Sequence, residues 1–353
     1  MAVAKARAPS FAARVGAWQR RHGRHDLPWQ QSRDPYRIWL SEVMLQQTQV
    51  ATVLPYYERF LAAFPDVRTL AAAPIGRVLE LWAGLGYYRR AHHLHAAARM
   101  VVDRYGGSFP QTPEDLAALP GVGRSTAAAI AAFAFGVRGA ILDGNVKRVL
   151  ARHRGIDGFP GEAAVEKMLW MVAEGLMPAR GIEKYTQGLM DLGATVCTRS
   201  APRCNACPVA ADCVARVQGR VDRLPSPRPR KSVPKRELRV LLIERAGELL
   251  FERRPATGIW SGLWSLPELS VDADVAEALR TRFGIDAAAT VALAPIVHGF
   301  THFTLTLHPL RIAVRRWQPC AASPEWIWLA RDDAISAALP APIKRLIRDL
   351  PRN

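Results

Sequence analysis

Four of the five cysteines in this 353-residue chain fall within one short stretch near its middle. They follow the spacing C-x6-C-x2-C-x5-C, at Cys197, Cys204, Cys207 and Cys213. Thiols this dense imply either a bound metal group or a disulfide framework. A four-cysteine zinc site usually contains two Cys-x-x-Cys pairs, and this stretch contains only one, so the spacing fits zinc poorly. Iron–sulfur clusters accept four thiolates at more varied spacing, and the sequence therefore predicts a loop folded around such a cluster.

Charge and apolar content narrow the class of protein further. Apolar residues make up 49% of the chain, and its length allows two domains with their own cores. The 48 basic and 31 acidic residues give a formal charge of +17. This charge fits a solvated basic surface or a polyanionic partner, with nucleic acid ahead of an anionic membrane. No secretion signal is visible and the thiols are clustered, so we expect a cytoplasmic, nucleoid-associated protein.

Composition divides the chain into three parts. Residues 11–220 are rich in Ala, Leu and Arg, with Gly and Pro at helix ends, which predicts a helical domain over residues 1–222. Residues 223–236 hold four prolines and six basic residues but no acid, as is typical of a stiff basic linker. Residues 237–353 contain an alternating strand pattern at 303–308 and a helical pattern at 274–283, and they predict an α+β domain.

A glycine turn in the helical part has the form of a phosphate-binding helix-hairpin-helix. Residues 119–126 read LPGVGRST, in which Gly121 and Gly123 allow a tight turn into a helix whose first N–H groups can meet an anion. By itself such a turn is more often an ordinary helix–helix connection. Asp143 follows in the stretch LDGNVKRVLAR, where it is either a helix cap or a carboxylate kept for chemistry beside the hairpin.

Glu42 stands alone among apolar residues near the N-terminus. Its neighbours Trp39, Leu40, Val43 and Met44 place it on an otherwise apolar helix. Desolvation there would hold its proton more tightly, which suits a general acid at neutral pH. Composition alone also allows an exposed helical glutamate.

These motifs, in this order, resemble a known family. The hairpin, Asp143 and the four cysteines resemble the endonuclease III superfamily of DNA base-excision glycosylases. The segment SEVMLQQTQV, within residues 27–50, is similar to the MutY family of adenine DNA glycosylases and favours a buried, functional Glu42. The resemblance implies two helical subdomains with a DNA base entering between them, and a [4Fe–4S] cluster on the four cysteines.

The resemblance also implies a role for each matched position. Glu42 would protonate the adenine ring, and Asp143 would stabilise the oxocarbenium-like sugar or trap it covalently. Ser125 stands where bifunctional relatives carry a lysine, and a serine cannot form the Schiff base that strand cleavage by that route requires. The other implied positions are an adenine pocket at Trp29, Leu45 and Gln187, a wedge into the duplex at Gln47, Thr48 and Tyr87, and a DNA-binding hairpin at Gly121, Gly123 and Ser125.

The last part of the chain resembles a Nudix-like domain, through residues 258–268, GIWSGLWSLPE. A Nudix hydrolase needs paired glutamates on a helix, but counting back from Gly284 the pair falls on Thr281 and Arg282, so we expect no diphosphatase activity. In the MutY family this domain reads 8-oxoguanine opposite the adenine, with a loop that usually reads Phe-Ser-His. Here Phe300, Thr301 and His302 occupy that place, and the threonine keeps a hydroxyl.

The sequence therefore predicts a mostly α N-terminal part joined to an α+β Nudix-like domain. The predicted function is a monofunctional glycosylase that removes adenine paired with 8-oxoguanine or guanine in double-stranded DNA. We expect a monomer with no membrane partner. Two alternatives remain open: a bifunctional pyrimidine glycosylase and lyase, and a non-catalytic DNA-binding module.

Overall fold

Helices make up all the regular structure from residue 9 to residue 229 in the computed structural model, which describes residues 9–229, 233–255, 257–300, 302–318 and 326–351. The twelve α-helices of this segment are α1 (Phe11–His22), α2 (Pro35–Leu45), α3 (Val50–Ala63), α4 (Val67–Ala72), α5 (Ile75–Trp82), α6 (Arg89–Tyr105), α7 (Pro113–Ala117), α8 (Arg124–Ile130), α9 (Gly144–Arg154), α10 (Ala163–Gly175), α11 (Ile182–Asp191) and α12 (Val214–Val217). Two of these helices, α8 and α11, continue into single π-helical turns at Ala131–Phe135 and Leu192–Val196.

Packing groups the chain into two units that are not contiguous in sequence. The helical unit contains residues 1–72 and 93–230, and the sheet unit contains residues 73–92 and 231–353. Helix α5 therefore belongs to the sheet unit, and α6 passes from one unit into the other.

Local sequence explains where the helices begin and end. Asp34 caps α2 by accepting a hydrogen bond from Tyr36 N at 2.9 Å, and Pro35 fills the first helical position, where its missing N–H costs nothing. Thr112 caps α7 in the same way, as its Thr-Pro-Glu-Asp sequence leads one to expect. Gly136 ends the π turn after α8 in the left-handed region, with φ of 68°.

The core of the helical unit lies between α1, α9 and α11. Val15, Leu150, Leu189 and Leu192 are essentially inaccessible to solvent there. Burial of each such side chain contributes about 1.5–3 kcal/mol relative to exposure. This core fixes α11 against α1, and both helices border the cavity described below.

The sheet unit is built on one mixed sheet, whose eight strands in the described residues are β1 (Lys235–Arg245), β2 (Glu248–Arg253), β3 (Trp264–Ser265), β4 (Glu268–Leu269), β5 (Ile285–Ala292), β6 (Ile296–Gly299), β7 (Thr304–Trp317) and β8 (Trp326–Ala330). The helices of this unit's C-terminal part are α13 (Val275–Phe283), α14 (Arg331–Ser336) and α15 (Ala341–Asp349). The main strand order is β3-β2-β1-β7-β5. The central pair β1 and β7 is parallel, from Lys235↔Thr304 to Glu244↔Ala313, and the other pairings are antiparallel.

The predicted fold class, helical followed by α+β, is confirmed. The alternating pattern at 303–308 falls at the start of β7, where Leu305 and Leu307 are buried and the intervening residues are half-buried. Asp274 caps α13 and Gly284 ends it with φ of 65°, as the sequence indicates. Leu279 and Phe283 pack from α13 onto the sheet. Within the part of the chain described here, no helix is both long and apolar enough to span a membrane.

Candidate active site

Helix α2 carries Glu42 on its third turn, among some of the most deeply buried residues of the chain. Trp39 and Met44 are completely buried on the same helix, while Glu42 itself is half-buried. No described residue donates a hydrogen bond to the Glu42 carboxyl group. The carboxyl group instead borders a cavity within the helical unit.

The cavity beside Glu42 has a volume of about 580 Å³. Three residues predicted for an adenine pocket line it: Trp29, Leu45 and Gln187. Trp29 lies on a short 3-10 turn and packs edge to face on Tyr57, with ring centroids 5.2 Å apart, so its ring is fixed in place. The structure thus brings the predicted acid and the predicted pocket residues together in one space.

Asp143 is the N-cap of α9. Its Oδ1 accepts hydrogen bonds from Asn145 N at 2.7 Å and Val146 N at 2.8 Å. The sequence left open whether this residue is a cap or a chemical group. The cap is confirmed, and its carboxylate still influences Glu42 electrostatically, because it is one of the charges that raise the pKa of Glu42.

The two carboxyl groups differ in what surrounds them. Burial, with a smaller contribution from the Asp143 charge, raises the pKa of Glu42 to about 8. Burial also raises the pKa of Asp143, but the N–H groups of Val146 and Asn145 and the nearby Arg148 and Lys147 act in the opposite direction. No described residue donates such hydrogen bonds to Glu42, so its pKa is raised without the opposing contributions that Asp143 receives.

The two glycines of the hairpin between α7 and α8 differ in backbone conformation and in surroundings. Gly121 has φ of +77°, and a Cβ there would lie 2.7 Å from the Cβ of His93. Gly123 has φ of −89° as the N-cap of α8, with open space around it. Gln46 Nε2 donates to the Gly121 carbonyl at 3.2 Å and so ties the end of α2 to the turn. Only Gly121 is therefore required by backbone conformation.

Ser125 and Lys147 both make contacts within the protein. The Ser125 hydroxyl accepts a hydrogen bond from Leu142 N at 2.9 Å, which fixes the residue before Asp143. Lys147 Nζ pairs with Glu166 at 2.7 Å. The amine closest in sequence to Asp143 is thus engaged in an ion pair.

Two of the predicted wedge residues have strained backbones. Gln47 has φ of 58° in the helical unit and Tyr87 has φ of 49° in the sheet unit, although neither is glycine. Gln47 is exposed, Tyr87 is 49% exposed, and Thr48 is half-buried. Non-glycine residues in this region cost of order 1–3 kcal/mol and cluster at functional sites. The backbone strain is therefore a second observation, independent of the sequence pattern, that favours a functional role for Gln47 and Tyr87.

The four clustered cysteines line one cavity of the helical unit together with Arg152, and none of them is in a disulfide. In the described part of the chain, no three His, Cys, Asp or Glu side chains could hold a single metal ion. The four thiols are brought together only as lining residues of this one space. Burial raises the pKa of Cys207 to about 11.

In the sheet unit, the predicted recognition loop follows β6. Phe300 stacks on Phe303 at 4.6 Å and lies 4.8 Å from His298 and 5.7 Å from Trp260, measured between ring centroids. His302 is exposed, and Thr301 lies outside the described residues. An aromatic cluster therefore holds the start of the loop while His302 faces solvent.

The positions expected for a Nudix glutamate pair serve structural contacts. The Thr281 hydroxyl donates to Glu277 O of its own helix at 2.8 Å. The Arg282 guanidinium pairs with Glu252 and also donates to the Glu268 carbonyl at 3.2 Å. Arg282 thus places a positive charge among these acids.

Sequence patterns missed part of the cavity wall. Phe133 reaches it from the π turn after α8, and Arg24 and Met190 reach it from the end of α1 and from α11. Asp191, completely buried at the end of α11, was also missed. Its signal was the same as that of Glu42, a single acid among apolar residues.

Comparison with known proteins places this architecture in DNA base-excision repair. Residues 40–174 match the HhH-GPD superfamily of base excision DNA repair proteins, and residues 239–349 match the NUDIX domain. The solved structure of a thermostable thymine-DNA glycosylase is similar, with a TM-score of 0.54 and 30% identity over 59% of this chain and 95% of that one. A trapped endonuclease III–DNA intermediate shares the fold, with a TM-score of 0.50 and 22% identity over 58% of this chain and 94% of that one.

Full-length relatives specify the member of this class. The adenine DNA glycosylase of Buchnera aphidicola subsp. Baizongia pistaciae is 34% identical over 94% of this chain and 93% of that protein. The human adenine DNA glycosylase is 34% identical over 96% of this chain and 73% of that protein. The chain belongs to the adenine DNA glycosylase family, whose members hydrolyse N-glycosyl bonds.

Proposed function

We propose that this enzyme removes adenine paired with 8-oxoguanine or guanine in double-stranded DNA and leaves an intact strand with an abasic site. The observation that carries the proposal is the Glu42 carboxyl group, which borders a cavity shared with Trp29, Leu45 and Gln187 and has a pKa of about 8. A protonated acid beside a cavity that also holds aromatic, apolar and hydrogen-bonding side chains is an arrangement suited to acid-assisted base release.

The two carboxyl groups divide the chemistry between them. Glu42 donates its proton to a ring nitrogen of adenine, which makes the base a better leaving group. The Asp143 carboxylate, held by two N–H groups, stabilises the positive charge that develops on the sugar. Water then attacks the sugar and completes the hydrolysis.

The target base has to leave the helical stack before this chemistry can begin. Trp29 offers an aromatic face to the extruded adenine, Leu45 an apolar contact and Gln187 a hydrogen-bonding amide. Gln47 and Thr48 of the helical unit enter the duplex, and Tyr87 of the sheet unit is a further wedge residue in this proposal. The backbone strain at Gln47 and Tyr87 and the exposure of both residues support contact with a ligand.

Contact with the DNA backbone comes from the hairpin and from positive charge. Gly121 shapes the turn, the open space at Gly123 admits a phosphate, and the N-terminus of α8, near Ser125, faces it. The net charge of +17 supports a polyanionic partner.

The four cysteines would hold a [4Fe–4S] cluster. Their shared cavity and their free thiols fit such a group. The cluster would order the loop that carries Arg199 and Arg203, and no residue near it suggests a part in bond breaking. In this proposal the predicted helical domain over residues 1–222 performs the chemistry, without residues 73–92, which group with the sheet unit. The predicted linker over residues 223–236 ends before β1, since Lys235 and Arg236 already pair with β7. The predicted domain over residues 237–353 reads the opposite base through Phe300, Thr301 and His302.

Whether the DNA strand is cleaved depends on a free amine near Asp143 that could form a Schiff base with the sugar. Ser125 offers none, and its hydroxyl is used by Leu142. Lys147 is held by Glu166 at 2.7 Å, which disfavours attack on the sugar. Elimination through a Schiff base therefore has no nucleophile in place, and the strand stays intact.

The test is base release from duplexes carrying adenine opposite 8-oxoguanine, guanine or cytosine. We expect release from the first two, and a strand break only after hot alkali. Strand cleavage without alkali, at the same rate as adenine release, would contradict the monofunctional assignment. Release from none of the duplexes would favour a non-catalytic DNA-binding module.

A further inference from the structure

A buried carboxylate lies directly behind the cavity that holds Glu42. Asp191 is completely buried at the end of α11. Its two oxygens accept hydrogen bonds from Arg24 N at 3.0 Å, Arg24 Nε at 2.7 Å and Gln187 Nε2 at 2.9 Å. A buried, fully engaged carboxylate of this kind costs free energy to desolvate, and the chemistry outlined above gives it no task.

The backbone beside Asp191 leaves space for its carboxylate group. Gly23, which follows α1, lies so close that a Cβ there would be 2.9 Å from Asp191 Oδ2 and 2.6 Å from Gln19 O. The absence of a side chain at Gly23 therefore lets Arg24 N reach the carboxylate. The network joins the end of α1 to α11, both of which line the cavity.

The network fixes which end of the Gln187 amide faces the cavity. Gln187 and Asp191 are four residues apart and lie on the same face of α11. A carboxylate only accepts hydrogen bonds, so the amide must turn its NH2 group toward Asp191. Oε1 lies at the opposite end of the amide, and it accepts no hydrogen bond from any described residue. Since Gln187 lines the cavity, this free acceptor is available to a bound base.

We propose that Asp191 is a positioning residue that fixes the Gln187 amide with its carbonyl oxygen toward the base, and so selects a base with a hydrogen-bond donor at its 6-position. Adenine carries an amino donor there, whereas guanine and hypoxanthine carry a carbonyl acceptor. Two facing acceptors repel each other and leave both groups unpaired. A free amide would rotate and accept either base, so the selectivity depends on Asp191.

The inference rests on the proposed function, in which this cavity receives the extruded base. The test compares single-turnover release of adenine and hypoxanthine from duplexes that are otherwise identical. The glycosidic bonds of the two nucleosides differ in intrinsic lability. That difference cancels when the ratio of the adenine release rate to the hypoxanthine release rate is compared between a variant and the wild type. In Asp191→Ala we expect this ratio to fall by roughly 10-fold or more, because a hydrogen-bonding site discriminates strongly against the mispaired group. A purely structural defect would slow both reactions equally.

The control and a second variant complete the test. Asp157→Asn removes another Asp–Arg pair, with Arg220 at 2.8 Å, and should leave the ratio unchanged. If Asp191→Ala does not fold, as judged by circular dichroism, Asp191→Asn carries the test. It offers one oxygen where the carboxylate offers two, and a smaller fall in the ratio is expected.

An unchanged ratio in a folded Asp191 variant overturns the inference, provided that Gln187→Leu does lower the ratio. If Gln187→Leu leaves the ratio unchanged, or if the wild type releases no adenine, the assignment of the cavity as a base pocket is wrong and the inference fails with it. The two failures are therefore distinguishable.

Discussion

At the scale of single residues, the site depends on two carboxyl groups with different surroundings. Glu42 has a desolvated carboxyl group that accepts no hydrogen bond from the described residues, whereas Asp143 accepts two from the start of α9. Burial raises the pKa of both groups, and only at Asp143 do hydrogen-bond donors and cations favour the carboxylate. The helix cap and the proposed chemical role of Asp143 do not compete, because the N–H groups that cap the helix also favour the carboxylate.

Glu42→Gln should lose base release and gain stability at high pH. Glutamine cannot donate the proton, and a positioned general acid contributes typically ~10²–10⁴-fold in rate. The folded-state pKa of Glu42 is about 8 and its unfolded pKa is near the ordinary value, so the folded protein holds an extra proton between them. The Glu42 contribution to stability therefore falls as the pH rises through this window. The free energy of unfolding of wild type and variant, measured from pH 5 to pH 9, should diverge in favour of the variant.

The same pKa predicts that wild-type base release slows above about pH 8, as Glu42 loses its proton. Glu58→Gln, an exposed glutamate on α3, serves as the control and should leave the rate profile as in the wild type. A Glu42→Gln variant that releases adenine at near the wild-type rate would show that another group supplies the proton. Parallel stability curves for wild type and variant would show that Glu42 is not desolvated in solution.

The sequence predicted Glu42 and Asp143 because each breaks a local pattern. Glu42 is an acid on an apolar helix, and Asp143 precedes a glycine at a helix start. Asp191 breaks its pattern in the same way but was missed, because its meaning depends on Arg24, which is 167 residues away. Long-range pairing of this kind leaves no periodic trace in one sequence.

At the scale of elements, the hairpin separates glycines that look equivalent in the sequence. Both were expected to serve the turn and the approach of a ligand. The structure gives Gly121 a left-handed backbone against His93, and gives Gly123 an ordinary backbone in open space. The conformational need lies at Gly121, and the room for a phosphate lies at Gly123.

Gly121→Ala and Gly123→Ala should therefore fail in different ways. At Gly121 the Cβ meets His93 and the left-handed backbone is strained, so we expect destabilisation of about 1–3 kcal/mol. At Gly123 the loss of stability should be smaller, about 1 kcal/mol or less for the poorer N-cap, while DNA binding weakens because the Cβ occupies open space at the start of α8. Thermal unfolding and DNA titration of both variants make the comparison. Equal effects of the two substitutions on both measurements would contradict this division.

Elements with strong local signals were predicted well. The helical pattern at 274–283 corresponds to α13, which starts one residue later because Asp274 is its cap, and which ends at Gly284. The π turns were not predictable, because a π turn has no composition of its own and is stabilised by packing. One of them places Phe133 at the cavity, so part of the pocket was hidden for the same reason.

At the scale of the whole molecule, the fold class was predictable but the grouping of its parts was not. The change from helical to strand periodicity after residue 236 is plain in the sequence. Nothing in the pattern indicated that residues 73–92 pack with the sheet unit. That grouping includes the approach of His92 Nε2 to Ser261 O at 3.2 Å, a contact between segments 169 residues apart.

In the proposed function, the helical unit performs catalysis and the sheet unit reads the opposite base. His302 is exposed beside the cluster of Phe300, Phe303 and Trp260, so its replacement by alanine should leave the sheet unit folded. If His302 reads 8-oxoguanine, His302→Ala should narrow the preference for adenine:8-oxoguanine over adenine:guanine by about 10-fold, roughly the loss of one good hydrogen bond. His308→Ala removes another histidine of the same unit, paired with Glu237 at 3.0 Å, and should leave the preference unchanged. Single-turnover rates on the two duplexes measure the effect, and an equal loss on both would make the sheet unit a general DNA clamp.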